Sequence, residues 1–303
     1  MVKILASDGM QADAIQALKD LGHEVDVQFY EPEELKEAVK KYNVLVVRSA
    51  TKVREPHIDA ALETGELKLV IRGGVGIDNI DHKYAESKGI AVRNTPAASS
   101  ASVAELALGH MLSMARYIGI ANVTMRNGEW NKKKYEGTEL GGKTLGLIGC
   151  GRIGRELAKR CEALGMNVIY TDIMGELPGV SYKYYPTMED VLKNADYISL
   201  HVPAPADKKP IFGAEQFKLM KNTAFLINTA RGILIDTDAL VEALDNGELA
   251  GAALDVFPEE PAKDEKVLHH PLISLTPHIG GSTKEAQERI GAEIVDIITK
   301  FFA

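Results

Sequence analysis

The chain has 303 residues, of which 45% are hydrophobic and 26% charged, as in globular proteins that fold in water. Acidic residues outnumber basic ones by 43 to 35, and the resulting formal charge of −8 argues against nucleic acid or an anionic membrane as a partner. No apolar run approaches the roughly 18–20 residues of a membrane-spanning helix. The N-terminal segment is typical of a short strand rather than a signal peptide, so we expect a cytoplasmic protein.

Short apolar runs alternate with amphipathic stretches from the start of the chain, which predicts an α/β fold with parallel sheets. In the first part of the chain, strands are predicted at residues 2–6, 24–29, 44–47, 69–71 and 90–92. Helices are predicted between them at residues 12–21, 32–41, 56–64 and 83–88. Several of these helices stop at a glycine, the residue that most easily adopts the conformation that ends a helix.

The second part of the chain opens with apolar residues at helical spacing, which predicts one long helix near residues 100–119. Six strands follow, at residues 144–148, 167–171, 197–201, 224–228, 250–254 and 272–275. Helices are predicted at residues 153–164, 187–194, 214–220 and 237–246, and a final amphipathic helix at 283–302. In the helix at 187–194, Thr187 and Asp190 form a capping pair.

A glycine-rich loop follows the predicted strand at residues 144–148, with the sequence Gly149-Cys150-Gly151-Arg152-Ile153-Gly154. In dinucleotide-binding units the first glycine makes a tight turn, the second lets backbone approach a pyrophosphate, and the third lets the next helix pack closely against its strand. The N-terminus of that helix offers free N–H groups to the phosphates. Asp172 ends the next predicted strand, where a carboxylate can bind the ribose hydroxyls.

The charge of Asp172 favours one cofactor over the others. A carboxylate repels the 2′-phosphate of NADP, and the following residues, Ile173-Met174-Gly175, supply no arginine to hold one. FAD is less favoured, because its sites usually open a chain and this loop lies in the middle. The sequence therefore predicts NAD as the cofactor.

The two cysteines, Cys150 and Cys161, are expected to be free thiols. Along a helix they would lie on the order of 15 Å apart at ~1.5 Å per residue, whereas a disulfide needs Cα atoms within about 7 Å. His201 and the pair His269-His270 look like strand-end and loop residues, and no Cys/His cluster has metal-ligand spacing. We expect no metal.

Three later predicted strands each end next to a residue able to do chemistry: Arg231, Glu260 or His278. Oxidation of a hydroxy acid needs a base for the hydroxyl proton, and histidine titrates near neutral pH. A carboxylate can hold the imidazole, and an arginine offers a fixed fork to a substrate carboxylate. Singly, they have ordinary interpretations: a loop histidine, a solvated acid and a turn-capping arginine. Their shared position at strand ends favours the catalytic interpretation.

These segments resemble the D-isomer-specific 2-hydroxyacid dehydrogenase family along nearly the whole chain. The resemblance is carried by the glycine loop, by Ser102-Val103-Ala104-Glu105, and by the segments at residues 228–232, 254–261 and 276–280. It implies that Arg231 orients the substrate, that Glu260 orients the imidazole, and that His278 donates and accepts the proton.

The resemblance also implies a fold and a set of cofactor contacts. The implied fold is α/β, with two doubly wound parallel-sheet domains. A Rossmann NAD-binding domain, residues 99–282, is inserted in a flavodoxin-like substrate domain, residues 1–98 plus 283–303. Besides the loop glycines, cofactor contacts are implied at Arg152, Ile153, Asp172, Val75, Val202, Thr229, Ala230 and Asp255, with Asp255 near the nicotinamide carboxamide.

Within the family the chain is most similar to the phosphoglycerate dehydrogenases, through residues 47–51, 72–81, 135–140 and 278–287. That branch oxidises 3-phosphoglycerate to 3-phosphohydroxypyruvate on the way to serine. Its long members carry C-terminal regulatory domains, and because this chain stops at Ala303 we expect no direct feedback by serine. The alternatives are a glyoxylate/hydroxypyruvate reductase or D-lactate dehydrogenase, with an uncharged substrate tail, and a non-enzymatic NAD-sensing interaction protein.

Candidate substrate-binding residues lie in the first part of the chain: Arg48, Ser49, Arg72, Gly73, Gly74, Val75 and Gly76. The small residues of the last four positions predict a nest of consecutive N–H groups for a carboxylate, and the arginines suit a phosphate. Lys132–Lys134 is another candidate for the phosphate, across a dimer interface, although such runs are usually solvated. The Met- and Ala-rich helix near 100–119 and the Trp130 region predict a homodimer.

Overall fold

The computed structural model describes all 303 residues, which fold as two compact units. The split unit comprises Met1–Ser99 and Gly281–Ala303, and the inserted unit comprises Ser100–Gly280. Each unit is built on its own parallel sheet with helices between the strands. The predicted fold class is therefore confirmed.

Strands and helices alternate along most of the chain. The strands are β1 (Lys3–Ala6), β2 (Glu24–Val27), β3 (Val44–Val47), β4 (Leu69–Arg72), β5 (Ala91–Asn94), β6 (Thr144–Ile148), β7 (Asn167–Thr171), β8 (Lys183–Tyr184), β9 (Tyr197–Leu200), β10 (Phe225–Asn228), β11 (Gly251–Leu254) and β12 (Ile273–Leu275). The helices are α1 (Ala12–Asp20), α2 (Pro32–Ala38), α3 (Glu55–Leu62), α4 (His82–Ser87), α5 (Ser100–Ala115), α6 (Ile118–Arg126), α7 (Arg152–Ala163), α8 (Met188–Asn194), α9 (Ala214–Leu219), α10 (Thr237–Asp245), α11 (Glu265–Leu268) and α12 (Lys284–Phe301). Short 3-10 helices cover Val39–Lys41, Lys132–Lys134 and Gly232–Leu234.

The split unit has five parallel strands in the order β2-β1-β3-β4-β5, the order of flavodoxin-like folds. Its central strands β1, β3 and β4 have buried apolar residues on both faces, because helices cover both sides of the sheet. Leu45 and Val47 of β3 belong to one buried cluster, whereas Val44 and Val46 belong to the other, together with apolar residues of α12. The C-terminal helix thus completes the core begun by the N-terminal strands.

The inserted unit has seven parallel strands in the order β12-β11-β10-β9-β6-β7-β8. Its first six strands in sequence are β6, β7, β8, β9, β10 and β11, and their spatial order is the Rossmann order. Alternate residues of β10 again face different buried clusters: Leu226 lies in one and Ile227 in the other. In this unit α5 and α7 cover the face to which Ile227 points.

The prediction of one long helix near residues 100–119 is wrong. Helix α5 ends at Ala115, and α6 starts at Ile118 after Tyr117, whose φ of 55° is left-handed. The physical reason lies in the segment that follows α6, because the N–H of Thr138 donates to the carbonyl of Ala115 at 2.9 Å. A later part of the chain thus binds the last turn of α5.

No helix of the structure combines the length and the apolar character needed to cross a bilayer.

The strand order of each sheet reverses at one point, and in doubly wound sheets such a reversal leaves a crevice outside the carboxyl ends of the strands. In the split unit the reversal lies between β1 and β3, and in the inserted unit between β6 and β9. Ligands of doubly wound sheets bind at such points, outside the carboxyl ends of the strands. The glycine loop follows β6 directly, at the reversal of the inserted unit.

Candidate dinucleotide and catalytic site

The glycine loop is shaped by close packing at its first and third glycines. Gly149 has a φ of 91°, and a Cβ at this position would lie 2.7 Å from the carbonyl oxygen of His201, just past the end of β9. A Cβ at Gly154 would lie 2.6 Å from the carbonyl oxygen of Gly149. Any side chain at either position would push the loop away from β9 or α7 away from the loop.

Gly151 differs from Gly149 and Gly154, because a Cβ at position 151 would meet no atom within 4 Å. It precedes α7 directly and occupies the N-cap position in an extended conformation. The free N–H groups of the first turn of α7, which begins with Arg152 and Ile153, are the ready-made anion site of such helices. The loop therefore leaves room for a ligand beside hydrogen-bond donors.

Asp172 lies one residue past the end of β7 and is tied to the loop. Its Oδ2 accepts a hydrogen bond from the N–H of Cys150 at 2.9 Å, and its Oδ1 accepts one from the N–H of Met174 at 3.0 Å. Each carboxylate oxygen keeps lone-pair capacity for a further donor such as a ribose hydroxyl. Ile173 and Met174 are fully or largely exposed next to it, an apolar surface that suits a flat base.

A nucleotide fits two further positions of this unit. The Oγ1 of Thr229, just past the end of β10, is buried without a hydrogen-bond partner in the protein, although a buried hydroxyl normally has one. The side chain of Val202 follows β9 and lies against the glycine loop, where its Cγ1 would be 2.9 Å from a Cβ on Gly149. The residues present therefore fit a dinucleotide along the edge formed by the ends of β6, β7, β9 and β10.

Arg231 is held at the edge of the sheet by a clamp at the end of β10. The buried amide of Asn228 accepts from the N–H of Ala230 at 3.0 Å and donates to the carbonyl of Arg231 at 2.8 Å. Gly232 then lies so close to the segment after β11 that a Cβ would come within 1.9 Å of the carbonyl carbon of Phe257. Only glycine allows this contact, which brings the segment of Arg231 against the segment of Glu260.

Glu260 and His278 form an ion-pair geometry, with 2.7 Å between Oε2 of Glu260 and Nδ1 of His278. Because a carboxylate accepts, Nδ1 carries the hydrogen, and the neutral imidazole therefore presents an unprotonated Nε2. The two side chains are 35% and 34% exposed, so a small molecule can reach that nitrogen. The pair is a base with one nitrogen held and the other available.

The charge of Glu260 is stabilised by its neighbours. Burial raises the pKa of Glu260, but the hydrogen bond and charge of His278, the N–H of Phe257 and the charge of Arg231 together outweigh it and leave the pKa below its ordinary value. The N–H of Phe257 donates to Oε1 at 3.2 Å. The carboxylate is thus held ionised beside the imidazole, with a guanidinium near enough to act on it.

Asp255, just past the end of β11, holds the turn that carries His278. Its carboxylate accepts from the hydroxyl of Thr276 at 2.6 Å and from the N–H groups of Ile279 at 2.8 Å and Gly280 at 2.9 Å. Its carbonyl accepts from the N–H of His278 at 2.8 Å. Asp255 is 1% exposed, and these contacts account for its burial. The geometry gives it a structural task that the sequence analysis, which assigned it to the carboxamide, did not foresee.

The split unit gathers several of the predicted substrate residues at the ends of β3 and β4. The Nη2 of Arg72 donates to the hydroxyl of Ser49 at 3.2 Å. Gly74 has a φ of 146°, and a Cβ there would overlap the guanidinium of Arg72. The side chain of Arg72 therefore lies in the space that a side chain at position 74 would occupy.

One part of the proposed nest in this unit is corrected by the structure. The N–H of Gly73 donates to the carbonyl of Val47 at 2.8 Å, so it extends the sheet and cannot bind a carboxylate. The carbonyl of Val75 accepts from the side chain of Asn94, which fixes the same loop from its other side. The N–H groups of Gly74, Val75 and Gly76 remain as predicted candidates.

A cavity of about 400 Å³ opens in the split unit beside Arg48 and the start of α12. Its wall includes Arg48 and Lys284 as cations and Glu288 as an anion. The backbone of Arg48 is fixed from below, because its N–H donates to Oδ2 of Asp8 at 2.6 Å and its carbonyl accepts from the amide of Asn79 at 2.7 Å. The loop after β3 is thus preformed around this arginine.

Three further predictions concern Lys132–Lys134, the two cysteines and a metal site. Lys132–Lys134 forms an exposed 3-10 helix. Both cysteines are free, as predicted. Both are also buried, and burial raises the pKa of Cys150 to about 11 and that of Cys161 to about 12. No group of three or more His, Cys, Asp or Glu side chains is arranged to hold a metal ion.

Comparison with known proteins identifies the family. Residues 108–280 match the family described as D-isomer specific 2-hydroxyacid dehydrogenase, NAD binding domain. The chain is 46% identical to D-3-phosphoglycerate dehydrogenase of Methanocaldococcus jannaschii over 99% of its own length and 57% of that protein. It is 44% identical to hydroxypyruvate reductase of Thermotoga maritima over 98% of its own length and 97% of that protein. The chain belongs to the D-isomer-specific 2-hydroxyacid dehydrogenase family.

Solved structures of this family agree with the fold. An NADPH-dependent glyoxylate/hydroxypyruvate reductase from Sinorhizobium meliloti is 29% identical and superposes with a TM-score of 0.88 over 100% of this chain and 95% of that one. The chain covers about 57% of the length of the phosphoglycerate dehydrogenase it matches, so it corresponds to one part of that longer protein. The family match shows that the inserted unit carries the NAD-binding domain of a D-2-hydroxyacid dehydrogenase, and that a nicotinamide cofactor is its ligand.

Sequence reasoning missed the residues that support the D-2-hydroxyacid dehydrogenase site from behind. Asp8 and Asn79 fix the loop of Arg48, and Asn228 fixes the turn of Arg231. Asp8 carried a usable signal, because it stands two residues past the end of β1, at the carboxyl edge of the sheet. Asn79 carried none, since its partners come from a loop about thirty residues away in sequence.

Proposed function

We propose that this chain is an NAD-dependent dehydrogenase that oxidises 3-phosphoglycerate to 3-phosphohydroxypyruvate, a step toward serine. The observation that carries the proposal is the pair of Glu260 and His278, 2.7 Å apart, next to the segment of Arg231 in the same unit as the dinucleotide loop. A hydroxyl proton and a hydride must leave the same carbon in this reaction, and the pair supplies an acceptor for the proton.

His278 acts as the base in this proposal. Its Nδ1–H is bound to Glu260, so Nε2 takes the proton from the C2 hydroxyl of the substrate. Glu260 stabilises the imidazolium that forms, because its carboxylate is already aligned and ionised before the reaction. In the reverse direction the same Nε2–H returns the proton to the carbonyl oxygen. When bound, the nicotinamide ring accepts or supplies the hydride.

Arg231 orients the substrate in this proposal. A guanidinium presents N–H groups in a planar fork that matches a carboxylate, and it also stabilises an oxygen that develops negative charge. The clamp by Asn228 and the contact of Gly232 with the segment after β11 fix where this fork begins. The arginine and the imidazole therefore start from one rigid edge, which favours a single orientation of the substrate carbon.

We propose that the cofactor is NAD rather than NADP. The loop glycines, the N-terminus of α7 and Thr229 would hold the dinucleotide, and the carboxylate of Asp172 would bind the ribose hydroxyls. That carboxylate and the absence of an arginine in the three residues after it disfavour a 2′-phosphate. Val75 and Ala230 stay predicted cofactor contacts.

The phosphorylated tail of the substrate is the finer part of the proposal. Arg48, whose loop is preformed, and Arg72, which reaches Ser49, are the cations proposed to bind the phosphate and carboxylate. Lys132–Lys134 is a further exposed source of positive charge. The identity with a phosphoglycerate dehydrogenase supports this substrate.

A second candidate function is hydroxypyruvate reduction. The relative from Thermotoga maritima named hydroxypyruvate reductase is matched over 97% of its length, whereas the phosphoglycerate dehydrogenase is matched over 57%. The catalytic groups would be the same, because the two substrates share the carbon that changes oxidation state. Only the tail distinguishes them.

One assay separates the two candidates. Initial rates of NADH formation or consumption are measured with 3-phosphoglycerate, glycerate, D-lactate, hydroxypyruvate and glyoxylate. We expect kcat/KM for 3-phosphoglycerate to exceed that for glycerate at least about 100-fold, because a phosphate held by arginines contributes several kcal/mol. Equal values for the two acids would overturn the phosphate assignment, and no turnover of any 2-hydroxy acid would overturn the enzymatic proposal.

We also propose that the chain acts as a cytoplasmic homodimer. The inserted unit exposes a group of large apolar side chains on α6 and around it: Tyr117, Ile118, Ile120, Val123, Met125 and Trp130, with Trp130 79% exposed. A surface of this kind marks an interaction site more often than a free surface. Light scattering of the wild type and of a Val123→Glu variant tests this. We expect the wild type to be a dimer and the variant to be a monomer.

A further inference from the structure

Helix α5 buries one titratable side chain that the proposed reaction does not use, His110. Its Nδ1 lies 3.0 Å from the hydroxyl of Ser274 and its Nε2 lies 2.9 Å from that of Thr276, both on or just past β12. We propose that His110 is a positioning residue for the turn that carries His278, acting through Thr276 and Asp255. This inference rests on the function proposed above.

The hydrogen bonds of this chain of groups have only one consistent direction. The hydroxyl of Thr276 gives its single proton to Oδ1 of Asp255 at 2.6 Å, so it can only accept from His110. Nε2 of His110 therefore carries a hydrogen. Burial lowers the pKa of His110, although the charge of Asp255 opposes this, so the ring is neutral and its Nδ1 accepts from the hydroxyl of Ser274. The tautomer is thus fixed by its partners.

The chain of groups ends on the backbone of the catalytic turn. The carboxylate of Asp255 accepts from the N–H groups of Ile279 and Gly280, immediately after His278. His278 has a φ of 52°, a left-handed conformation that a histidine adopts only where its surroundings impose it. The turn is therefore wrapped around Asp255, and the direction in which the imidazole projects depends on where that carboxylate is held.

A purely space-filling role does not explain His110. It is 4% exposed, and an apolar side chain would fill the same space without the cost of burying two polar atoms. Both of those atoms meet hydroxyls that are two residues apart, one on β12 and one just past its end. The ring thus links α5 to the end of β12, directly behind the turn.

Loss of His110 removes the donor that orients the hydroxyl of Thr276. That hydroxyl is then free to rotate, and its bond to Asp255 weakens because bonds in such a chain strengthen one another. We expect the His110→Leu variant to lower kcat about tenfold with KM for NAD unchanged, since small displacements of a catalytic group are costly. The Thr276→Val variant, which removes the bond to Asp255 itself, should lower kcat further.

Two conservative variants separate positioning from packing. A glutamine at position 110 can place an N–H near the position of Nε2, whereas an asparagine reaches only the position of Nδ1. We expect His110→Gln to retain most of the activity and His110→Asn to behave like His110→Leu. The matched control is His57→Leu in the split unit, since His57 is equally buried at 6% and also uses both ring nitrogens. That variant should lose stability without a change in kcat.

A second measurement does not depend on turnover. Amide hydrogen exchange of Ile279 and Gly280 reports directly on their bonds to Asp255. We expect exchange at both to rise about tenfold in His110→Leu and in Thr276→Val, and to stay unchanged in His110→Gln and His57→Leu. If the wild type oxidised no 2-hydroxy acid, the proposed function would fail while these exchange rates still tested the positioning role.

Two outcomes would overturn the inference. Wild-type exchange at Ile279 and Gly280 in a folded His110→Leu variant would show that the turn does not depend on His110. Equal behaviour of the glutamine and asparagine variants would show that the bond to Thr276 is not the one that matters. If the leucine variant does not fold, the comparison of the two amide variants decides alone.

Discussion

The two units share a parallel, doubly wound sheet, yet the glycines at their carboxyl edges serve different purposes. In the inserted unit, a Cβ at Gly151 would meet nothing within 4 Å, so the loop leaves space next to the N-terminus of α7. In the split unit, the space above Gly74 is filled by the guanidinium of Arg72 from the end of β4. One edge is open to a ligand, and the other is lined by the protein's own charge.

The polar groups behind the two edges differ in the same way. In the split unit, Asp8 and Asn79 tie down the backbone that carries Arg48. In the inserted unit, Asn228 and Asp255 tie down the backbone that carries Arg231 and His278. The first pair presents a cation alone, and the second presents a cation together with a base. The two edges therefore offer different chemistry to a ligand.

The largest effect should come from removing Arg231 of the inserted unit. The corresponding change in the split unit is removal of Arg48. We expect Arg231→Ala to lower kcat about a thousandfold while NAD affinity stays unchanged, because the guanidinium stabilises charge that develops in the reaction. Arg48→Ala should mainly raise KM for 3-phosphoglycerate, by about 10–100-fold, as a loss of binding does. Steady-state kinetics and an NAD titration measure both.

Two controls accompany these variants. Arg231→Lys keeps the charge but not the planar fork, so its activity should lie between those of the wild type and the alanine variant. Lys52→Ala removes an exposed cation from the loop of Arg48 and should change neither parameter. An Arg231→Ala enzyme with undiminished turnover would contradict the assigned role.

The next effect concerns two glycines of the dinucleotide loop: Gly154, where a Cβ would collide with backbone, and Gly151, where it would not. Gly154→Ala should lower the free energy of unfolding by about 1–3 kcal/mol, because its Cβ would collide with the backbone of Gly149. Gly151→Ala should leave the free energy of unfolding nearly unchanged. It should weaken the binding of NAD at least about tenfold, since the added methyl group enters the space proposed for the pyrophosphate. Denaturant titrations and calorimetric NAD titrations separate the two. Equal NAD affinity in Gly151→Ala and the wild type would contradict this placement of the pyrophosphate.

A smaller effect is expected for the choice between NAD and NADP. Asp172→Ala should reduce the preference for NAD about tenfold, because the carboxylate no longer repels a 2′-phosphate. Asp172→Asn removes the charge while keeping an acceptor for the N–H of Cys150 or Met174, and it should show the same change. Glu176→Ala, an exposed acid of the same segment, is the control. Undiminished discrimination in both Asp172 variants would exclude this acid as the selector.

A last prediction concerns the acid sensitivity of the inserted unit, whose effect is small within any one pH unit. Burial lowers the pKa of His201 to about 4 and lowers that of His110 as well. The unfolded chain protonates these rings near pH 6.5 and the folded chain only at lower pH, so unfolding becomes easier as pH falls between about 6.5 and 4. Each ring contributes up to about 1.4 kcal/mol per pH unit. His201→Gln should flatten the slope measured by denaturant titration across this range, and an unchanged slope would contradict the assignment.

Much of the fold could be predicted because the apolar pattern of buried parallel strands is local. The strands that were predicted lie within about two residues of their observed bounds, and Thr187 caps α8 through the N–H of Asp190. The end of α5 could not be predicted, because it is set by Thr138, which binds Ala115 from beyond α6. Nor could the short strand β8, whose two residues, Lys183 and Tyr184, carry no alternating pattern of their own.

The candidate site was predictable to the extent that its residues follow strands. The sequence placed Arg231, Glu260 and His278 near one another because parallel strands end at a common edge, a rule that needs no coordinates. It did not reveal Asn228 as a clamp or Asp255 as the centre of the catalytic turn, because those tasks depend on which backbone N–H groups are left to be bound.

The sequence alone therefore determined the order of most strands and helices, the position of the dinucleotide loop and the identity of the residues able to do chemistry. These properties follow from periodicity and from residue type, which are local properties of the sequence. The tertiary structure alone decided the tautomer of His278, the orientation of the turn around Asp255 and the filling of Gly74 by Arg72. Each of these depends on atoms brought together from distant parts of the chain or on the path of a loop, and both are fixed only when the sheets are packed.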